Sequence, residues 1–131
     1  MKKNIIIIFV LLFTNKTFSQ DLSGTWNWSY SDKHKSEITL IKTSSNNYKG
    51  YYCSSYYKGE KLDCYFDENE YSIYISKTND NIFEGTFKSN FSNKSGTIKI
   101  EYFPTSEKIK VTILTKPDGE YYLPNNVYFE K

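Results

Sequence analysis

Arginine is absent from this chain, and so is alanine. Without arginine the chain lacks the commonest reader of base edges and the bidentate clamp for phosphate, so no nucleic-acid partner is expected. Alanine is the best helix former, whereas Val, Ile, Thr, Tyr, Phe and Trp, the strand formers, are plentiful here, with 13 tyrosines. There is one histidine, His34, in the charged run Asp32-Lys33-His34-Lys35. A solvated turn is a poor place to hold an imidazole as the base that a Ser or Cys nucleophile needs. No Gly-rich phosphate loop or dinucleotide fingerprint occurs. The acids Asp67, Glu68 and Glu70 sit in a turn-like stretch without the spacing of a calcium loop. The expectation is a non-enzyme with no catalytic residue, no metal site and no cofactor.

Long apolar runs are missing too. The longest, Ile5–Phe13, has nine residues, well short of the ~20 a helix needs to cross a bilayer. It follows the basic start Met1-Lys2-Lys3 and precedes small residues, with Thr17 and Ser19 placed for cleavage before Gln20. That is the form of a secretory signal peptide over residues 1–19, leaving one domain at 20–131. No cysteine follows the run to carry a lipid anchor. Cleavage removes three lysines and no acid, so the formal charge of +2 becomes −1 and the apparent basic character disappears. The protein is expected to be exported, periplasmic or secreted, and not membrane-spanning once cleaved.

What is present, almost throughout, is alternation. Trp26, Trp28 and Tyr30 share one face, as do Ile38 and Leu40, Ile73 and Ile75, Phe83 and Phe87, Ile98, Ile100 and Tyr102, Ile109, Val111 and Ile113, and Val127 and Phe129. A period of two means strands with one buried and one wet face. Turn-rich breaks such as Ser44-Ser45-Asn46-Asn47 and Lys116-Pro117-Asp118-Gly119 separate them. About nine strands at short, even spacing predict an all-β fold: a small antiparallel up-and-down barrel, or alternatively a β-sandwich. Gly-Thr recurs before a large apolar residue at Gly24, Gly85 and Gly96. Glycines within strands mark the bends a closed barrel needs. A membrane barrel is disfavoured, because the outward face carries Lys99, Glu101, Lys108 and Lys110.

The two cysteines, Cys53 and Cys64, flank Lys58-Gly59 symmetrically. Folding the chain back about that centre sets them directly opposite, at a Cα separation of about 4.5 or 5.5 Å, within reach of a disulfide. A loop of two residues or of four, Tyr57–Glu60, satisfies the register. An oxidising compartment favours the bond.

Leu22-Ser23-Gly24-Thr25-Trp26 resembles the opening of lipocalins and other calycin barrels. The resemblance implies that Gly24 and Trp26 are structural, the indole lying across the closed end of the barrel. It also implies a cation packed on that ring, for which Lys131 would stand in place of arginine. Tyr121-Tyr122-Leu123-Pro124 with Val127–Lys131 looks like the final strand of lipocalin-like exported bacterial proteins.

Two functional readings follow. The first is a carrier of a small hydrophobic ligand inside the barrel, with Trp28, Tyr30, Phe87 and Tyr102 as the binding residues. An eight-stranded barrel can hold one small ligand or be filled by its own side chains. The second is an interaction module of the cell envelope that presents tyrosines of the Tyr48–Tyr57 hairpin, with Tyr52 and Tyr56 as the contact residues, since tyrosine is favoured at interfaces. A dry, aromatic-filled interior would favour the second.

Overall fold

The computed structural model describes residues 21–65 and 69–131. The leader at 1–19 and the acids Asp67 and Glu68 lie outside the described residues. The rest is β structure: β1 (Gly24–Tyr30), β2 (His34–Ser44), β3 (Asn47–Tyr56), β4 (Lys61–Cys64), β5 (Ile73–Asn79), β6 (Ile82–Lys88), β7 (Ser95–Phe103), β8 (Lys108–Thr115) and β9 (Val127–Glu130). A single 3-10 turn, Ser31–Lys33, joins β1 to β2.

All pairings are antiparallel, in the order β2-β1-β9-β8-β7-β6-β5-β3-β4, and β2 also pairs with β3. That last pairing closes eight strands into a barrel and rules out the sandwich. The ninth strand, β4, shares a slot with β5. The first half of β3 pairs with β5 (Tyr48↔Ile75), and its second half pairs with β4 (Ser54↔Asp63). Closure is thinnest between β1 and β9, which meet at the single pair Asn27↔Glu130.

The alternation read from the sequence has the predicted phase. Trp26 faces Ile38, which faces Tyr52, and one inward layer runs through three strands. On the opposite wall Phe83 faces Ile100, Ile100 faces Val111, and Ile109 faces Phe129. Each such side chain contributes about 1.5–3 kcal/mol relative to exposure. Trp26, Tyr48, Tyr52, Phe83, Phe87 and Phe129 are all essentially inaccessible, and Trp28 and Tyr102 pack partly buried against them. The interior is thus filled by rings, Tyr48 edge-on to Phe83 at 5.5 Å and Tyr52 edge-on to Phe87 at 6.2 Å. Inward positions are apolar along most of the barrel, while the outer wall mixes charged and polar residues with scattered exposed apolar ones such as Ile41, Tyr74 and Leu114.

Gly85 shows why the barrel needs glycine. A Cβ there would lie 1.8 Å from the Tyr74 carbonyl oxygen on β5, so the neighbouring backbone occupies the space of a side chain. The cysteines are joined, in register, with a Cα–Cα distance of 4.0 Å. Tyr56 pairs with Lys61, so the intervening loop is the four-residue one, Tyr57–Glu60.

One end of the barrel is sealed. The segment before β1 crosses it with Leu22 fully buried. Trp26 Nε1 donates to the Leu22 carbonyl oxygen at 2.9 Å, and the Leu22 N–H donates to the Tyr48 hydroxyl at 3.2 Å. The Lys131 ammonium sits 4.9 Å above the Trp26 ring, a cation–π contact. Gly24, at φ +122°, leaves room for that lysine, since a Cβ would approach its side chain to 3.3 Å. The final-strand expectation needs one correction: only Val127–Glu130 is strand. Residues 116–126 form a loop, in which Leu123 is buried and Tyr121 packs on Phe87. Pro117 and Pro124 within that stretch each lack the N–H that a continuous ladder would use.

Candidate binding face at the barrel mouth

The end opposite Trp26 is built differently. There the inward positions turn polar: Ser36 on β2, Ser54 on β3, Asp63 on β4 and Ser89 after β6 are all buried. Ser36 and Ser54 share a hydrogen bond of 2.6 Å. Asp63 is completely inaccessible to solvent, and its two oxygens accept five hydrogen bonds. Oδ1 takes the N–H of Asn90 (2.8 Å) and of Phe91 (3.2 Å). Oδ2 takes the Tyr52 hydroxyl (2.6 Å), the Ser89 hydroxyl (3.0 Å) and the Tyr122 N–H (3.0 Å).

This carboxylate does what a ladder would do elsewhere. Among the described residues no strand pairs with the far edge of β4, and the β6–β7 loop (89–94) and β8–β9 loop (116–126) arrive with backbone donors that need acceptors. Asp63 satisfies three of them and ties β4 to both loops. Asn90 adds a side-chain bond to the Cys64 carbonyl. Burial, and after it the charge and hydrogen bond of Asp63, push the Tyr52 phenol far above its ordinary range. Sequence reading passed over Asp63, although the signal was available. If Cys53 opposes Cys64, then Ser54 opposes Asp63 on the other face, which places an acid in an inward register.

Aromatic rings rise over this polar layer. Trp28 and Tyr56 meet the His34 ring edge-on at 4.8 and 4.7 Å, and Tyr56 lies near-parallel to Tyr122 at 5.8 Å. Phe91 abuts Tyr122 at 5.3 Å, and Tyr57 abuts Tyr56 at 4.2 Å. His34 therefore is not the free surface residue its charged neighbours suggested. It is half-buried between rings and donates from Nε2 to the Tyr122 carbonyl oxygen at 3.1 Å. Charges at the rim are paired: Lys61 lies 3.7 Å from Glu120, whose carboxylate accepts the Tyr122 hydroxyl at 2.8 Å. The Tyr122 hydrogen bond, then the Glu120 charge, hold the Lys61 ammonium above its usual range.

The residues proposed from sequence fall in several places. Trp28 and Tyr30 belong to the mouth, Tyr30 at its outer edge and 73% exposed. Phe87 is core. Tyr102 lies toward the sealed end, edge-on to Trp26 at 6.1 Å. These four do not converge on one cavity. Tyr52 is not a surface residue: at 1% exposure its ring is core and its hydroxyl serves Asp63. The alternation phase, fixed by Ile38 and Tyr48, turns even-numbered residues of β3 inward. Tyr56, of the same phase, reaches the rim only because it ends the strand, and the exposed hairpin tyrosines are Tyr51 and Tyr57.

Among the described residues, clefts open at the barrel's rim and along its wall. One of about 370 Å³ opens at the sealed end's rim between Asn81-Ile82 and Tyr102–Ser106. The other, about 690 Å³, follows the β1–β9 seam and is lined by Lys35, Glu37, Glu130 and Lys131 together with Trp28, Ser36 and Tyr128. Among the described residues no helix is long and apolar enough to cross a membrane, and no cluster of His, Cys, Asp and Glu could hold a metal. Compared with family models, curated proteins and solved structures, the chain matches none.

Proposed function

We infer that this is an exported, non-enzymatic, lipocalin-like module of the cell envelope that binds through the aromatic mouth of its barrel and not in its interior. The observation that carries the reading is the filled core beneath an exposed aromatic rim. Rings occupy the volume a carried ligand would need, while Tyr30, Tyr57 and Phe91 stand 73%, 54% and 47% exposed around the mouth. Tyrosine and tryptophan supply large contact area at low conformational cost, which suits a recognition surface. The disulfide and the leader-like start support export. The closed barrel, Trp26 at its sealed end and Lys131 over that ring support the lipocalin-like relation.

The test is site-specific photo-crosslinking in exporting cells. A crosslinker at Tyr57 should give discrete adducts, and one at Tyr74, exposed on the outer wall, should not. Equal labelling from both positions, or none from Tyr57, would remove the reading. A second reading, small-ligand binding, keeps one observation in its favour: the 370 Å³ cleft beside Tyr102 and Phe103.

A further inference from the structure

We propose that Cys53–Cys64 is an exchangeable disulfide: an external thiol attacks Cys53 and unlatches β4, and with it the polar floor of the mouth. The bond lies outside the ring of strands that closes the barrel. That ring runs β2-β1-β9-β8-β7-β6-β5-β3 and back to β2, and β4 hangs from the second half of β3. A disulfide between β3 and β4 is therefore no part of the closure. What it secures is a four-residue strand with no other strand partner among the described residues.

That strand carries the hub of the mouth. Cys64 follows Asp63 in the chain, and Asp63 accepts the N–H groups of Asn90, Phe91 and Tyr122 from the two loops, while the Asn90 side chain donates to the Cys64 carbonyl oxygen. Opening β4 removes these contacts together, so loops 89–94 and 116–126 lose their acceptors at once. With the bond intact, an opened hairpin is still tied across the 11-residue separation of the cysteines, and opening gains little chain entropy. Without it the opened hairpin is free, and the opened state is more populated. The bond thus acts on a local opening, and the eight-strand ring keeps its own pairings.

Access sets the direction of attack. Cys53 is exposed on the outer wall and lines the cleft of about 690 Å³, whereas Cys64 is 2% exposed. Exposed disulfides are the labile ones. A thiolate entering by the cleft bonds to Cys53 Sγ; the Sγ–Sγ bond breaks, and Cys64 leaves with the electron pair and takes up a proton. A second thiol then removes the first as a disulfide, and Cys53 also ends as a thiol. Two electrons pass from two external thiols, or from one dithiol, to the protein, and an oxidised partner reverses the exchange. Weaker binding by the reduced protein also follows, and that consequence alone rests on the mouth being the binding face.

The experiment starts from the folded, oxidised protein in native buffer. After brief exposure to mercaptoethanol and quenching with iodoacetamide, peptide mapping should find the mixed disulfide on Cys53 and the alkyl group on Cys64. The same protein, reduced with dithiothreitol, is then compared with the oxidised form by hydrogen exchange. The β4 amides and those of Asn90, Phe91 and Tyr122 should exchange about thirtyfold faster or more. In the reduced protein they should also exchange well before the amides of β6, β7 and β8, and photo-crosslinking from Tyr57 should weaken. A bond that yields to dithiothreitol only after denaturant unfolds the chain overturns the proposal. So does a mixed disulfide on Cys64, unchanged exchange at the floor amides, or floor amides that exchange in step with β6–β8. If reduction frees the floor but Tyr57 crosslinks to nothing even in the oxidised protein, the latch stands and the binding role of the mouth falls.

Discussion

Replacing Asp63 by asparagine changes one atom's chemistry at the point where three backbone segments meet. The amide keeps one acceptor oxygen and turns the other into a donor. The less costly orientation retains the oxygen at Oδ2, where three donors converge, and sets an NH2 group against the N–H groups of Asn90 and Phe91. Phe91 keeps a second partner, the Ser89 hydroxyl at 3.2 Å; no second acceptor compensates the Asn90 N–H in the same way. Hydrogen bonds to charged groups contribute ~1.5–3 kcal/mol each. Losing one fully and one partly, and weakening the three that remain, gives a cost of about 3–5 kcal/mol. Against a total stability of ~5–15 kcal/mol this is a large share. The expected Tm fall is roughly 10–25 °C, read by circular dichroism. Hydrogen exchange should also show lost protection at the Asn90, Phe91 and Tyr122 amides. A Tm within about 2 °C of the parent, with those amides still protected, would refute the role given to Asp63.

Other consequences can be checked alongside. Tyr52→Phe removes one donor to Asp63 and should cost ~1.5–3 kcal/mol in urea denaturation. The Tyr52 phenol is raised in the folded state, so between its unfolded value near ~10 and its folded one the native state holds the extra proton; stability should fall as pH rises above about 10, and absorbance should show Tyr52 ionising only as the protein unfolds. Reducing the Cys53–Cys64 bond, or replacing both residues by serine, should cost about 2–3 kcal/mol, measured by calorimetry with and without reductant. Lys131→Ala uncovers the Trp26 ring and should cost ~0.5–1 kcal/mol, with a shift in tryptophan emission. Gly85→Ala drives a Cβ into the β5 backbone and should cost at least ~1–3 kcal/mol, a loss an equilibrium melt would detect.

Most of the barrel was legible because its cause is local. Alternation from Trp26 to Phe129 reports which face each strand buries, and the cysteine symmetry about Lys58-Gly59 reports the hairpin register. The mouth was less legible because its cause is not local. Asp63, Asn90 and Tyr122 lie 27–59 residues apart and meet only once both loops fold over β4. Tyr52 shows the same limit. Its composition suits a surface or a core, and only the phase of β3 against β2 sends it inward. The long β8–β9 loop resembled a strand in its Tyr121–Leu123 run, yet two prolines and the hydrogen bond that the Tyr122 N–H donates to Asp63 hold it out of the ladder.

The most direct test of a filled barrel with a binding mouth uses the tyrosines themselves, since they report from every region. Fluorotyrosine-labelled protein, titrated with solubilised envelope fraction, can be followed by fluorine NMR. The account predicts shifts at Tyr56, Tyr57 and Tyr122, with Tyr48 and Tyr52 in the core unmoved. Shifts at Tyr48 and Tyr52 without change at the mouth would contradict it and place the ligand inside the barrel.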